Sequence, residues 1–129
     1  MVLPSRHIAF FAACLCTLPA AAPAQAHADD IFGTWMRGDN AARVTIAPCG
    51  GAICATNVWI RDPAGQNEKV GDKLVFQIAQ KDGGWEGSAN DPQRGLNFSA
   101  TLKAAGPSMT TRGCMMAGLA CKTTHWTRQ

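Results

Sequence analysis

The sequence has little charge and no marked excess of one sign. Charged residues make up 16% of the chain, whereas roughly 25% is usual for globular proteins. Of the 12 Lys and Arg, Arg6 precedes the N-terminal apolar run, which leaves 11 against 9 Asp and Glu, a balance of +2. The basic residues are also scattered along the sequence. This charge pattern disfavours nucleic acids and anionic membrane surfaces as partners.

The sequence lacks an apolar run long enough for a lasting membrane span. Its N-terminal apolar run, residues 8–22, is short, is interrupted by polar and proline residues, and follows a short basic start. Small-residue patterns at residues 24–28 follow, so we predict a cleaved secretory signal peptide at residues 1–28. A lipoprotein signal ending at Cys14 is the weaker alternative, because its apolar region would be too short. Residues 29–129 then form one domain that is periplasmic or secreted.

The domain also lacks the apolar period of an amphipathic helix. It contains short runs of alternating apolar and polar residues, separated by turns that are rich in Gly, Pro and Asp. About seven or eight such runs recur at spacings of roughly 8–12 residues, which is typical of antiparallel sheet proteins. We therefore predict an all-β fold, a small antiparallel up-and-down barrel of about eight strands, because closure of the sheet removes unpaired edges.

The hairpin at residues 44–60 is the best-defined local element. Two β-branched runs flank Gly50-Gly51, which indicates a tight turn. One register places the two flanking cysteines opposite each other, and a second register, shifted by one residue, brings four β-branched residues together. A bulge at the Gly-Gly turn would reconcile the two registers. We expect four residues of this hairpin to point into the core: Val44, Ile46, Val58 and Ile60.

The cysteine count indicates disulfide bonds. Two of the six cysteines, Cys14 and Cys16, lie in the predicted signal peptide, so four remain in the domain. An even number in a small exported domain predicts disulfides, and four cysteines allow three pairings, among which spacing alone does not choose. Zinc binding is the less favoured alternative, because the spacings C-x4-C and C-x6-C do not match the usual pairs of zinc ligands.

Few residues suggest catalysis. His125 is the single histidine of the domain and no Ser lies in a nucleophile-elbow motif. Glu86 and Asp91 are a conceivable carboxylate pair, but we interpret Asp91 as the cap of its Asp-Pro turn and Glu86 as a solvent-facing strand residue. The polar segment at residues 61–73 lacks the residue order of a calcium-binding loop, so we expect solvation of its oxygen-bearing side chains: Asp62, Asn67, Glu68 and Asp72. No catalytic residue, no cofactor and no bound metal is predicted.

Residues at the two ends of the domain indicate how the barrel closes. Gly33-Thr34-Trp35 matches the G-x-W signature of lipocalin-like and calycin-like barrels, in which a basic residue of the last strand covers the Trp at the closed end. Trp126-Thr127-Arg128 is positioned to supply this residue through a cation–π contact. We therefore assign barrel closure to four residues: Gly33, Trp35, Trp126 and Arg128.

The ordered set of motifs resembles a bacterial secreted family, catalogued as domain-of-unknown-function family 2147. The motifs are GTW at residue 33, PCGG-x2-C at 48, VWI at 58, WEG at 85, DP at 91, TRGC at 111 and a closing W-x-R at 126. They span essentially the whole domain. The resemblance implies a small exported calycin-like barrel and implies no particular activity.

The chain departs from the commoner pattern of that family in two ways. It has a second cysteine pair, Cys114 and Cys121, and it lacks a Tyr in the strand after the Asp-Pro turn. Because members with only the first pair must close it locally, the resemblance implies two local disulfides, Cys49–Cys54 and Cys114–Cys121. The missing Tyr removes the expectation of a Tyr-dependent ligand contact.

The segment between the last two cysteines, residues 115–120, is almost wholly apolar, although loops are normally polar. Two interpretations are open: a plug that folds over the barrel end, or an apolar lip that meets a ligand or partner. We favour the plug, because a disulfide would hold a short loop against the barrel.

Small eight-stranded barrels are either filled by side chains or hold one small ligand. We therefore expect a non-enzymatic exported protein that binds a small apolar ligand. The alternative is a protein-binding module, such as an inhibitor of a periplasmic hydrolase, and bulky side chains that fill the interior would favour it. The candidate contacts for a ligand or partner are Met115, Met116, Leu119, Trp85 and Phe98.

Overall fold

The computed structural model describes residues 14–20, 30–65 and 67–129. Its elements in chain order are the strands β1 (Gly33–Arg37), β2 (Ala42–Cys49), β3 (Ala52–Ile60), β4 (Lys73–Lys81), β5 (Gly84–Asp91), β6 (Leu96–Ala105) and β7 (Ser108–Met115), a 3₁₀ turn (Met116–Gly118), and β8 (Ala120–Arg128). Each strand pairs antiparallel with its sequence neighbours, and β8 pairs with β1 to close the sheet. The predicted all-β up-and-down barrel is confirmed.

The alternation of side chains along the strands determines the core. Along β6, Ala100, Leu102 and Ala104 are buried and the residues between them are exposed. Trp35 of β1 is fully buried, and its indole Nε1 donates a hydrogen bond to the backbone oxygen of Ile31 at 2.9 Å. A buried aromatic of this kind removes roughly 150–250 Å² from water, equivalent to about 4–6 kcal/mol. Trp35 is therefore a principal core residue.

The hairpin formed by β2 and β3 has neither of the predicted registers. Cys49 lies opposite Ala52, so the two cysteines are offset along the hairpin. The register shift falls between Arg43 and Val44, which corrects the prediction of a bulge at the Gly-Gly turn. The two glycines of that turn have positive φ values of 56° and 75°, a backbone conformation that glycine adopts without steric strain.

The bulge explains the one wrong core prediction in this hairpin. Val44, Ile46 and Ile60 are buried as predicted, but Val58 is 46% exposed. Arg43 pairs with Trp59 while Val44 pairs with the residue before Val58, so Val58 is the extra, unpaired residue of β3. An extra residue interrupts the strict in-and-out alternation of a strand, and here it turns Val58 toward solvent.

The two ends of the barrel differ. At the closed end, tight turns join β2 to β3, β4 to β5 and β6 to β7, and the start of β1 meets the end of β8. At the open end lie the other four connections, among them the long β3–β4 loop, residues 61–72. Disulfides join Cys49 to Cys54 at the closed end and Cys114 to Cys121 at the open end.

Most of the predicted signal peptide lies outside the described residues, which include only residues 14–20 of that segment. Those seven residues form neither helix nor strand. Within the part of the chain that the structure describes, no helix has the length and apolar character needed to cross a bilayer.

Candidate functional site

A cavity of about 570 Å³ lies inside the barrel and opens at the open end. Small-molecule pockets in proteins typically measure roughly 300–1,000 Å³, so the cavity is large enough for a small ligand. Large side chains do not fill the interior. The apolar walls are formed mainly by Val44, Ile46, Ala55, Leu74, Phe76, Leu96, Phe98, Ala100, Leu102, Met109 and Trp126.

Small residues in the wall leave this space empty. Phe98 of β6 packs next to Gly113 of β7, where an added Cβ would be 3.1 Å from the Phe98 ring. Glycine at this position therefore leaves room for the ring that a side chain would crowd. Ala55 and Ala100, both buried, line other parts of the wall with single methyl groups.

Trp126 forms a rigid part of the same wall. Its indole Nε1 donates a hydrogen bond to Thr111 Oγ1 at 2.9 Å. Because a buried indole N–H normally needs a partner, this bond leaves the ring itself as the surface presented to the cavity. Trp126, which was assigned to barrel closure, pairs with Arg37 in the ladder that joins β8 to β1, and its side chain also lies in the cavity wall.

One side of the rim is built around Arg37, the last residue of β1. Its Nη1 donates to both carboxylate oxygens of Glu68, at 2.9 and 2.8 Å, and its Nε donates to Asp39 at 3.0 Å. Burial by itself lowers the pKa of Arg37, but these two carboxylates outweigh it and raise the pKa above its usual value. The hydrogen bond from Arg37 in turn lowers the pKa of Asp39. Arg37 is therefore a fully neutralised cation.

The other side of the rim is built around Asp91, the last residue of β5, which is only 7% exposed. Its Oδ1 accepts hydrogen bonds from the backbone N–H groups of Gln93 and Arg94, at 3.1 and 3.2 Å, so it caps the Asp-Pro turn as predicted. Its Oδ2 accepts from Arg94 Nη1 at 2.9 Å. Burial raises the pKa of Asp91, but the hydrogen bonds from Gln93 and Arg94 and the charge of Arg94 leave the pKa below its usual value.

These two clusters fasten the β3–β4 loop to the rim. Glu68 is held by Arg37, and Asp72 accepts a hydrogen bond from Arg94 Nη2 at 3.1 Å. The Arg94 guanidinium also donates to the backbone oxygen of Asn67. The expectation of mere solvation is therefore wrong for Glu68 and Asp72, which are ion-paired. No group of three or more His, Cys, Asp or Glu placed to hold a metal occurs among the described residues.

The apolar loop between the last two cysteines lies at the open end, where its first and last residues, Met115 and Ala120, line the cavity. Met115, Met116 and Leu119 are 41%, 69% and 86% exposed, so the interpretation of this loop as a plug is wrong. The reason is the register of the hairpin: Cys114 lies directly opposite Cys121. Their disulfide therefore joins the two strands just before the connecting loop and does not draw that loop over the mouth of the cavity.

The closed end is sealed by Arg128 and Trp35. The guanidinium carbon of Arg128 lies 4.2 Å from the centroid of the Trp35 ring. Arg128 also donates hydrogen bonds to the backbone oxygens of Phe32, at 2.8 Å, and Asp30, at 2.7 Å. Gly33 has a φ of +116°, and a Cβ there would lie 3.1 Å from Arg128 Nη1, so a side chain would crowd the guanidinium.

The remaining candidate residues are dispersed. Trp85 packs edge-to-face on Phe32 with ring centroids 6.0 Å apart and does not line the cavity, whereas the candidate Phe98 does. His125 lies on the outer face, with Nδ1 3.3 Å from Thr110 Oγ1. Glu86 forms an exposed ion pair with Lys81.

Five cations of the cavity wall and rim were missed in the sequence: Arg37, Lys73, Arg94, Arg112 and Lys122. Strand alternation contains a signal for two of them. Arg37 follows the buried Trp35 by two positions, and Lys122 precedes the cavity-lining Trp126 by four. A residue two or four positions from an inward-facing one is on the same face of a strand. Arg94 lies in a turn, where no such rule applies.

Comparison of the sequence with known proteins identifies the family of the chain. No match was found among curated proteins or among solved structures. A family profile described as "Uncharacterized protein conserved in bacteria (DUF2147)" matches residues 33–128, from the first residue of β1 to the last residue of β8. This match confirms the resemblance seen in the sequence motifs and covers the complete barrel. The chain belongs to the bacterial family DUF2147.

Proposed function

We propose that this protein is exported and binds a small, largely apolar molecule inside the open end of its barrel. The observation that supports the proposal is the cavity of about 570 Å³ with predominantly apolar walls. Protein interiors normally contain few voids larger than a water molecule. An apolar space of this size, connected to solvent at one end, is therefore best explained as a binding site.

The rim adds support because ion pairs within the protein itself hold it in place. Arg37 and Arg94 each bridge carboxylates from separate parts of the chain, and together they hold the β3–β4 loop in place. Binding then requires little ordering of the protein, which reduces the entropic penalty of association. A preformed pocket is also the usual state of small-molecule sites.

Export is supported by two features. Residues 1–28 have the sequence pattern of a secretory signal peptide. The four cysteines of the barrel form two disulfides, and disulfides persist mainly in oxidising compartments such as the bacterial periplasm.

The test uses the full chain, expressed with its own leader and purified from a bacterial periplasm. We expect native mass spectrometry to detect a retained small molecule, and a neutral environment-sensitive dye, N-phenyl-1-naphthylamine, to bind the ligand-free protein. Ala100→Phe places a ring in the cavity and should abolish both signals. Ser99→Phe places the same ring on the outer face of β6 and should leave both unchanged. Dye binding that is equal in the two variants, or absent from the wild type, would contradict the proposal.

A second candidate function is protein binding at the β7–β8 tip. Contiguous exposed apolar side chains mark interaction sites, and Met116 and Leu119 are both exposed in the short loop that follows the Cys114–Cys121 disulfide. In this case the partner is a periplasmic or secreted protein, for example a hydrolase that the tip inhibits. Inhibition of a lysozyme or protease panel by the wild type, lost in Leu119→Ser but retained in Ala100→Phe, would favour this function over ligand binding.

A further inference from the structure

We propose that the ligand is a single-chain amphiphile with an anionic headgroup, and that Lys122 binds this headgroup at the mouth of the cavity. The proposal rests on the proposed binding function and adds a chemical class and an orientation to it. The apolar chain of the ligand would point toward the closed end, and the headgroup would remain at the open end.

The first argument is the position of Lys122 on β8. It alternates with Thr124 and Trp126, which line the cavity, and it lines the cavity itself. Its neighbour across the β7–β8 ladder is Gly113, which has no side chain to cover it. On its other side, the pairing of β8 with β1 ends at Trp126. The ammonium group of Lys122 therefore has free space at the cavity entrance.

The second argument is the charge of the cavity lining. Three carboxylates line it, and an arginine holds each one: Glu68 pairs with Arg37, while Asp72 and Asp91 pair with Arg94. Lys122 has no ion pair and no side-chain hydrogen bond within residues 30–65 and 67–129. A cation that no carboxylate of the protein neutralises is left for a ligand.

Two other cations of the cavity lining, Lys73 and Arg112, also have no ion pair among the described residues, but strand alternation places them on the outer face of the sheet. Lys73 alternates with the cavity-lining Leu74 on β4, and Arg112 alternates with the cavity-lining Thr111 on β7. Adjacent residues of a strand point to opposite faces of the sheet. Lys73 and Arg112 thus add to the positive potential near the mouth, and of these three cations without an ion pair only Lys122 lies on the inner face.

The third argument is the change of polarity along the cavity axis. Below Lys122 the wall is mainly apolar: it includes Phe98, Trp126, Leu102 and Met109, with the hydroxyl-bearing Thr111 and Thr124 beside them. Leu102 and Met109 are almost fully buried. An apolar chain is favoured in such surroundings, whereas an ion left without a partner there would be strongly disfavoured. A lysine combines an apolar stem with a charged end, so Lys122 suits the boundary between the two regions. The volume of about 570 Å³ fits one drug-sized chain.

The experiment compares probes that share one alkyl chain and differ in headgroup charge. Each probe, kept below its micelle concentration, is tested for displacement of the neutral dye N-phenyl-1-naphthylamine; the probes are decanoate, decyl phosphate, decanol and decyltrimethylammonium. Displacement is measured for four proteins: the wild type, Lys122→Gln, Lys122→Glu and Lys103→Gln. Lys103→Gln is the matched control, because Lys103 is exposed on the outer face of β6. Decyl phosphate distinguishes a phosphate headgroup from a carboxylate.

We expect the wild type and Lys103→Gln to bind at least one anionic probe about five- to tenfold more tightly than decanol, the range expected for a charge-assisted hydrogen bond at a partly exposed site. This preference should weaken as salt rises from about 20 to about 500 mM, because salt screens exposed charges. Lys122→Gln should bind the anions and decanol equally, and Lys122→Glu should prefer the ammonium probe.

Two results would overturn the proposal, and they are distinguishable. If Lys122→Gln keeps the wild-type preference for anions, or the wild type has none, the headgroup assignment is wrong although ligand binding stands. If neither the dye nor any probe binds to the wild type, the binding function itself is wrong. Circular dichroism of each variant verifies that the barrel is folded, and dye binding by Lys122→Gln verifies that its cavity is intact.

Discussion

Removal of the Arg128 side chain tests whether the closed end of the barrel depends on one residue. Arg128 contacts the Trp35 ring and donates hydrogen bonds to two backbone oxygens of the segment that precedes β1, those of Asp30 and Phe32. It thereby ties the end of the last strand to the start of the first. We expect Arg128→Ala to open this junction and to lower the free energy of unfolding.

The magnitude follows from these contacts. A cation–π contact at a partly buried site contributes about 1–2 kcal/mol. Each hydrogen bond from a charged donor contributes up to about 1.5–3 kcal/mol, which we reduce to about 1 kcal/mol because water can replace the donor at this partly exposed site. The total is about 3–4 kcal/mol, a large share of the roughly 5–15 kcal/mol that stabilises a typical domain. At about 4–8 °C per kcal/mol, Tm should fall by more than about 12 °C.

The assay is thermal unfolding followed by circular dichroism, with Arg43→Ala as the matched control. Arg43 also lies over a tryptophan, with its guanidinium carbon 5.0 Å from the Trp59 ring centroid, but on the barrel surface. Loss of an exposed cation–π contact should lower stability by only about 0.5–1 kcal/mol. Arg128→Lys keeps the charge but not the planar fork of donors, so its Tm should be intermediate. Equal losses in Arg128→Ala and Arg43→Ala would refute the role of Arg128 as the seal of the barrel.

Two further predictions concern the open end. Met116→Ser combined with Leu119→Ser should change the free energy of unfolding by less than about 0.5 kcal/mol, because both side chains are exposed. The control Met109→Ser, in the core, should lower it by about 2–5 kcal/mol. Urea denaturation midpoints compare the two variants, and a large loss in the double variant would mean that the tip packs on the barrel. Because the folded-state pKa of Asp91 lies below its usual value of 3.8, its contribution to stability is fully present above about pH 4 and is lost as the pH falls through the folded pKa. Asp91→Asn should therefore be less stable than the wild type at pH 7, and this difference in the free energy of unfolding should shrink below about pH 4. Urea titrations at each pH measure it, and a difference that is constant with pH would contradict the ion pair with Arg94.

The strands were predictable because their signals are local. Alternation along residues 96–103 and turn residues such as Gly83 identify a strand and its end without reference to the rest of the chain. The G-x-W motif and the final W-x-R are likewise short patterns. The family resemblance ordered these pieces along the whole domain, and the family match confirmed it.

The predictions of side-chain position were wrong where that position depends on how two strands pair. Val58 is exposed because a bulge makes it the unpaired residue of β3, and no residue type at that position marks the bulge. The ion pairs of the rim join residues that are far apart in sequence, such as Arg37 with Glu68 and Arg94 with Asp72. Such contacts follow from barrel closure and cannot be derived from spacing.

The apolar tip of the β7–β8 hairpin carries two separate energetic disadvantages, and both occur beside the cavity mouth. Met116 and Ala117 have positive φ values of 52° and 54°, which glycine or asparagine would adopt more readily. Met116 and Leu119 also expose apolar surface that burial would stabilise. Unfavourable backbone conformations in a folded protein tend to cluster at functional sites. At the closed end the large apolar side chain, Trp35, is instead buried and covered by the hydrogen-bonded Arg128. We therefore infer that the closed end stabilises the barrel and that the open end performs its function.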